Sequence, residues 1–100
     1  MKTIGLTALL ILLAGAGWGM QHEVTVARGE ALFNDVRLGS SGKSCASCHP
    51  HGQGLEQAGS KANLPAIVNN CIAQALQGKP LADESPELQS LLLYLKSLAR

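Results

Sequence analysis

The chain has few aromatic residues, few charges and little methionine. Only 3% of its 100 residues are aromatic and 15% are charged, and its two methionines are Met1 and Met20. Eight Lys and Arg stand against seven Asp and Glu, so the sequence has no basic patch of the kind that binds nucleic acid. It also has no catalytic triad, carboxylate pair or phosphate-binding loop, and we therefore do not expect the polypeptide itself to be an enzyme.

What the sequence does contain is three cysteines, two of them in the motif Cys45-Ala46-Ser47-Cys48-His49. Two cysteines three positions apart, followed directly by histidine, form the C-x-x-C-H pattern of covalent c-type haem attachment. Each thiol can add to one vinyl group of the porphyrin, and the histidine can then donate a ring nitrogen to the iron as proximal ligand. The motif predicts one covalent haem c on Cys45, Cys48 and His49.

Two other chemistries use a similar cysteine spacing. A thioredoxin-like redox pair requires a βαβ context, and the sequence has no convincing strand. A structural zinc site requires four ligands in two clusters, and the sequence has no second Cys-x-x-Cys and no His-x-x-x-His. Haem attachment is the interpretation that fits the motif best.

The first 20 residues have the features of a secretory signal peptide. Lys2 is followed by the apolar run 4–16, which ends in Ala14-Gly15-Ala16. The run is shorter than the roughly 20 apolar residues of a membrane span. An uncleaved N-terminal anchor is the alternative, and only then would the chain be held at a membrane. The prediction is a signal peptide over 1–20 and one exported, periplasmic domain over 21–100.

The periodicity of the domain predicts an all-α fold of about three main helices. The first covers 26–36, with Gly29 in a place where another element should approach closely. Asn63 is expected to cap the second helix and Gly78 to end it. Ser85 is expected to cap the third helix, with Pro86 at its first helical position. Their predicted apolar faces are, in order, Ala27, Ala31, Leu32, Phe33 and Val36; Leu64, Ile67, Val68, Cys71, Ile72, Ala75 and Leu76; and Leu88, Leu91, Leu92, Leu95 and either Leu98 or Ala99. Residues 37–44 and 50–62 are predicted to be loops.

The order of three landmarks resembles the class I cytochrome c family. These landmarks are Gly29-x-x-x-Phe33, Cys45-x-x-Cys48-His49 and Leu91-x-x-Tyr94-Leu95. The resemblance implies a small cytochrome c fold wrapped around one haem. In this family the first and last helices cross at the glycine and the aromatic residues pack at the crossing. It also implies maturation on the outer face of the bacterial inner membrane.

The chain departs from this family at the distal side of the iron. Class I cytochromes c place a methionine ligand between the haem motif and the last helix, and this chain has none there. The remaining candidates for the sixth ligand are Cys71, His51, Lys79, Asn69, Asn70 and His22. We favour Cys71, the odd third cysteine of an exported chain, because it lies on the inward stripe of the middle helix. Its alternatives are a small buried apolar residue or an intermolecular disulfide.

The stretch around this cysteine supports the same ligand. Residues 70–81, followed by Ser85-Pro86-Glu87-Leu88, resemble the corresponding stretch of His/Cys-ligated haem domains. These domains include those of thiosulfate dehydrogenases and other thiosulfate-oxidising cytochromes, and the small paired monohaem cytochromes of anaerobic ammonium oxidisers. The first group has a longer insertion after the haem motif. This chain is short there and has a single haem motif, so it is more similar to the small monohaem proteins.

The expected function is electron transfer by an exported monohaem cytochrome. A thiolate ligand to ferric iron implies a low redox potential. The alternatives are a haem protein that binds NO or CO as a sensor or carrier, and a haem subunit of a larger redox complex. The expected partners are redox proteins, including a homodimer or heterodimer with another small cytochrome.

Overall fold

A computed structural model describes residues 23–100 of the chain, and this part is built from helices without a strand. The predictions that fall on residues 1–22, which are the signal peptide and the candidate ligand His22, lie outside the described residues. The all-α prediction is confirmed for this part of the chain. Its helices are α1 (Val26–Phe33), α2 (Cys45–Cys48), α3 (Leu64–Gln74) and α4 (Pro86–Ser97), with short 3₁₀ turns at Pro50–Gly52 and Ala58–Ser60. None of the helices between residues 23 and 100 has the length and apolar character needed to cross a membrane.

Helix α1 begins at Val26, as predicted, and ends three residues earlier than predicted. The Thr25 side chain caps it by accepting a hydrogen bond from the amide of Arg28 at 3.0 Å. At the other end, both the backbone N–H and the side-chain amide of Asn34 donate to the carbonyl of Glu30, at 3.2 and 2.9 Å. Because the backbone of Asn34 takes non-helical dihedrals, the helix stops at Phe33 rather than at residue 36.

The apolar face predicted for this helix is wrong in part. Leu32 and Phe33 are buried, as expected, but Ala27, Ala31 and Val36 are exposed. The early end of the helix accounts for Val36, which leaves the helical periodicity and is half exposed. The buried surface of α1 is therefore narrow and is centred on Gly29, Leu32 and Phe33.

Helix α3 divides its apolar residues between two environments. Leu64, Val68, Ile72 and Leu76 follow one another at steps of four and are buried in the core. Ile67 is 40% exposed and Cys71 is half-buried; both face the cavity described below. The expected burial of Ala75 is wrong, since this residue is exposed.

The two ends of α3 also differ from expectation. Asn63 stands at its start but accepts no capping hydrogen bond with its side chain. At the C-terminal end the left-handed residue is Gln77, with φ of 54°, and not Gly78. Gly78 serves instead in a close backbone contact with Leu38 and Gly39.

Helix α4 forms as predicted. The Ser85 side chain accepts a hydrogen bond from the amide of Leu88 at 3.2 Å, and Pro86 occupies the first helical position. The leucines of the predicted stripe, Leu88, Leu91, Leu92 and Leu95, are buried. Ser90 is fully buried as well, which the apolar periodicity does not predict. Its hydroxyl donates to the carbonyl of Glu23 and accepts from the amide of Thr25, each at 3.3 Å, and so holds the start of α1 against α4.

The contact between α1 and α4 is made at backbone level. A Cβ atom added at Gly29 would lie 2.0 Å from the carbonyl oxygen of Ser90, so this position has room only for glycine. One turn further on, the rings of Phe33 and Tyr94 pack with centroids 5.1 Å apart and planes tilted by 56°, a favourable arrangement for two aromatic rings. The close approach expected at Gly29 is confirmed.

We expect Gly29→Ala to destabilise the protein although alanine is the better helix former. The added methyl group would overlap the Ser90 carbonyl and force α1 away from α4, at a cost of about 1–3 kcal/mol. The matched control is Ala31→Gly at an exposed site of the same helix, which costs about 1 kcal/mol through helix propensity alone. Denaturant titration followed by circular dichroism measures both. A stability of Gly29→Ala equal to or above that of the natural sequence would contradict the tight contact.

Candidate functional site

A cavity opens between the three long helices and the loop that follows α2. Its interior is about 110 Å³, and the space reaches about 530 Å³ when the open region out to its mouth is included. Its walls are mainly apolar side chains from every long helix and from the loop: Phe33, Leu55, Leu64, Val68, Leu91 and Leu95. This lining suits an apolar ligand.

Three side chains able to ligate a metal also line this cavity. They are Cys45 at the start of α2, His49 at the end of α2, and Cys71 in the second half of α3. The chain therefore brings the third cysteine, 22 positions after His49 in sequence, to the same space as the motif. Cys48 does not line the cavity and is exposed.

The motif forms a single helical turn with a defined start. Ser47 closes the turn in both directions: its amide donates to the carbonyl of Ser44 at 3.0 Å, and its hydroxyl accepts from the amide of Ser44 at 2.9 Å. The amide of His49 then donates to the carbonyl of Cys45 at 3.0 Å. Residues three apart on a helix are neighbours on its surface. Cys45 and Cys48 are therefore adjacent on the turn, but Cys45 lines the cavity and Cys48 is exposed outside it.

The orientation of the His49 ring is fixed by the loop that follows it. Nδ1 of His49 lies 2.9 Å from the backbone carbonyl oxygen of Gln53. Because a carbonyl oxygen can only accept, Nδ1 must carry the proton, and the lone pair of the neutral ring is then on Nε2. Metal-binding histidines commonly donate their other ring nitrogen in this way, which fixes the tautomer and raises the basicity of the ligand.

The loop reaches this position through two consecutive left-handed residues. His51 has φ of 56° and Gly52 has φ of 79°. The amide of Gly52 donates to the carbonyl of His49 at 2.8 Å, and the amide of Gln53 donates to Pro50 at 3.0 Å. This tight reversal brings the Gln53 carbonyl back to Nδ1 of the histidine ring.

The environment of the cavity changes the acidity of the Cys45 thiol. Burial is the main reason that the pKa of Cys45 is raised, to about 11, and the nearby Cys71 thiol adds to the shift. A desolvated thiol beside another potential anion holds its proton more tightly than a thiol in water. The three cysteines between residues 23 and 100 are all free.

The other sixth-ligand candidates in the described part of the chain lie away from the cavity lining. Three of these side chains are exposed: His51, Asn70 and Lys79. The Asn69 amide is already engaged, since it donates to the carbonyl of Leu81 at 2.8 Å and accepts from its amide at 2.7 Å. Among the candidates that the structure describes, Cys71 is the one whose side chain lines the same cavity as His49.

Sequence reasoning missed two parts of this site. The sequence predicts a loop over residues 50–62, and the structure has two 3₁₀ turns there. This segment also contributes Leu55 and Ala58 to the cavity wall. The role of the Gln53 carbonyl cannot be predicted from residue types, because every residue has a backbone carbonyl. The glycines at 52 and 54, both with positive φ, are the local signal for the turns.

Comparisons with known proteins give no further assignment. No family model, curated protein or solved structure matches the chain significantly. Within residues 23–100, no three His, Cys, Asp or Glu side chains come close enough together to hold a bare metal ion. The function has to be inferred from the cavity and its ligating side chains.

We expect the thiols of Cys45 and Cys48 to differ in reactivity. The thiolate is the nucleophile, so the raised pKa of Cys45 lowers its reactive fraction at about pH 8, and its alkylation rate should keep rising as the pH approaches about 11. Cys48→Ser and Cys45→Ser chains made in the cytoplasm leave one motif thiol each. Alkylation by iodoacetamide, followed by peptide mass spectrometry, should be slower for Cys45 than for the exposed Cys48.

The control is the same measurement in urea, where burial is lost and the two rates should converge. Equal rates in the folded chains would contradict the burial of Cys45.

Proposed function

We propose that this chain is a monohaem c-type cytochrome that is exported and transfers electrons. Cys45 and Cys48 hold one covalent haem c, His49 is the proximal iron ligand, and Cys71 is the distal ligand. The observation that carries the proposal is that Cys45, His49 and Cys71, from two different helices, line one cavity with apolar walls.

The residues of the cavity fit this group in three respects. The walls supply the apolar surface that a buried porphyrin needs, Cys45 and Cys48 are neighbours on one helical turn at the edge of the cavity, and Nε2 of His49 is left with its lone pair. When bound, the haem supplies an iron that changes between the ferric and ferrous states. The chain would bind and orient it, and Leu64 of α3 with Leu91 and Leu95 of α4 would cover it with apolar surface.

Cys71 would set the redox properties of the site. A thiol in an apolar cavity ordinarily keeps its proton, as the raised pKa of Cys45 illustrates, but a thiol that coordinates a metal ion is deprotonated outright. The resulting anion stabilises the ferric state over the ferrous state. We therefore propose a potential below that of a His/Met cytochrome.

The proposed fold is that of a small class I cytochrome c. The backbone contact of α1 with α4 at Gly29 and the packing of Phe33 against Tyr94 support it, because these are the landmarks on which the resemblance rests. The proposal includes a signal peptide over 1–20, a periplasmic location, and redox proteins as partners, among them a second small cytochrome.

The first test is haem attachment. Co-expression with the c-type maturation machinery in bacteria should yield a protein with a Soret band, whose peptide 44–61 carries the mass of one haem in thioether linkage. Single Cys45→Ser and Cys48→Ser variants should each lose one thioether bond. Because Cys71 lies outside the motif, Cys71→Ser should retain both. Matured protein without a covalently bound haem would overturn the proposal.

The second test is the identity of the distal ligand. Low-temperature electron paramagnetic resonance of the ferric protein should give a low-spin thiolate signal that is lost in Cys71→Ala and Cys71→Met. Cys71→Met should also raise the midpoint potential, because a neutral thioether stabilises the ferric state less than an anion does.

The control for the second test is Asn70→Ala, at the adjacent exposed position of α3, which should keep the natural spectrum and potential. An unchanged spectrum in Cys71→Ala would exclude the cysteine ligand. A changed ferrous spectrum under CO in the natural protein would favour the gas-binding alternative over a closed electron carrier.

A further inference from the structure

The segment that leads into the cysteine turn is fastened to the chain that leaves α3. We refer to residues 39–41 and 76–78 together as the junction. Its hydrogen bonds run from the Ser41 amide to the Leu76 carbonyl at 3.0 Å, and from the Ser40 amide and hydroxyl to the Gln77 carbonyl at 3.1 and 2.9 Å. Three hydrogen bonds thus join segments that are more than 30 positions apart in sequence.

The two backbone segments of the junction approach each other so closely that neither glycine has room for a side chain. A Cβ atom on Gly39 would lie 2.0 Å from the carbonyl oxygen of Leu76, and one on Gly78 would lie 2.5 Å from the carbonyl oxygen of Leu38. Both contacts are with backbone atoms, which cannot rotate away as a side chain would. Neither glycine can be replaced without separating the two segments.

Gln77 takes an unfavourable conformation within this contact. Its φ of 54° lies in the left-handed region, which is costly for a residue with a side chain. This conformation directs the Gln77 carbonyl to the two donors of Ser40. The amide of Gly78 meanwhile donates to the carbonyl of Ile72 at 2.8 Å, which ties the junction to α3 itself.

The junction is linked directly to Cys71. The carbonyl of Cys71 accepts hydrogen bonds from the amides of Ala75 and Leu76, at 2.9 and 3.2 Å, and the carbonyl of Leu76 accepts from Ser41. A continuous series of backbone hydrogen bonds therefore runs from Cys71 through Leu76 to Ser41, four residues before Cys45. The two walls of the cavity that bear thiols are held together by this series.

We propose that the junction positions Cys71 as the distal ligand, and that its strength sets how readily another ligand can replace the cysteine. The inference rests on the proposed function. When the junction holds, α3 is fixed against the cysteine turn and the thiol stays in the cavity. When it opens, the end of α3 is free to move and the sixth position becomes accessible. The affinity for an added ligand is proportional to the population of this open state.

The test is a titration of the matured ferric protein with imidazole, followed in the Soret band and by electron paramagnetic resonance. Ser40→Ala removes one junction hydrogen bond and should raise the apparent affinity for imidazole about 2- to 10-fold. Gly39→Ala separates the segments and should raise it by roughly tenfold or more, with loss of the thiolate signal before imidazole is added.

Each variant has a matched control in the same loop. Ser41→Ala removes a hydroxyl that accepts only from the nearby amide of Lys43, at 3.3 Å. Gly42→Ala introduces strain, because φ is 81°, but no atom lies within 4 Å of the added methyl group. Both controls should bind imidazole within about twofold of the natural protein.

The outcomes separate this inference from the proposed function. If the natural protein gives a thiolate signal but Ser40→Ala binds imidazole no better than Ser41→Ala, the junction does not position Cys71. The same conclusion follows if Gly42→Ala weakens ligation as much as Gly39→Ala does, because general destabilisation then explains both. If Gly39→Ala does not mature, the two serine variants decide. A natural protein without a thiolate signal overturns the proposed function instead.

Discussion

The backbone contact between α1 and α4 is the constraint on which the rest of the molecule depends. At Gly29 the two helices approach so closely that a single methyl group would overlap the Ser90 carbonyl. This contact places Phe33 of α1 beside Leu91 and Leu95 of α4 in one cavity wall. Without it the first and last helices would separate, and the cavity would lose the wall that faces α3.

Several tertiary contacts of this small protein are made where glycine allows two segments to approach closely. The glycines at 39 and 78 hold the entry to the cysteine turn against the end of α3, and the backbone of Gly52 lies against the side chain of Leu98, just after α4. The cavity is lined by apolar groups and by three potential ligands, which is the arrangement on which the proposed haem site is based.

The two ligands that we propose, His49 and Cys71, differ in how their positions are fixed. The ring of His49 is oriented by a local contact, since the carbonyl of Gln53 that accepts its hydrogen bond is only four residues away. Cys71 depends on distant parts of the chain, because the end of its helix is tied through Leu76 to Ser41. If His49 and Cys71 hold the haem as we propose, the proximal ligand has a local support and the distal ligand a remote one, and exchange is expected on the distal side.

The sequence by itself determined the features that depend on neighbouring residues. The Cys45-x-x-Cys48-His49 motif is a local pattern, and Ser85, Pro86 and the leucine stripe specify α4 through capping and periodicity within one element. Only the tertiary structure decided which apolar residues face the core, since Ile67 and Ala75 fit the same helical pattern as Val68 and are exposed. It also decided that Cys71 lines the cavity, and it revealed the Gln53 carbonyl and the junction. These features arise from contacts between distant segments and from backbone atoms that every residue possesses, so no pattern of residue types can encode them in a single sequence.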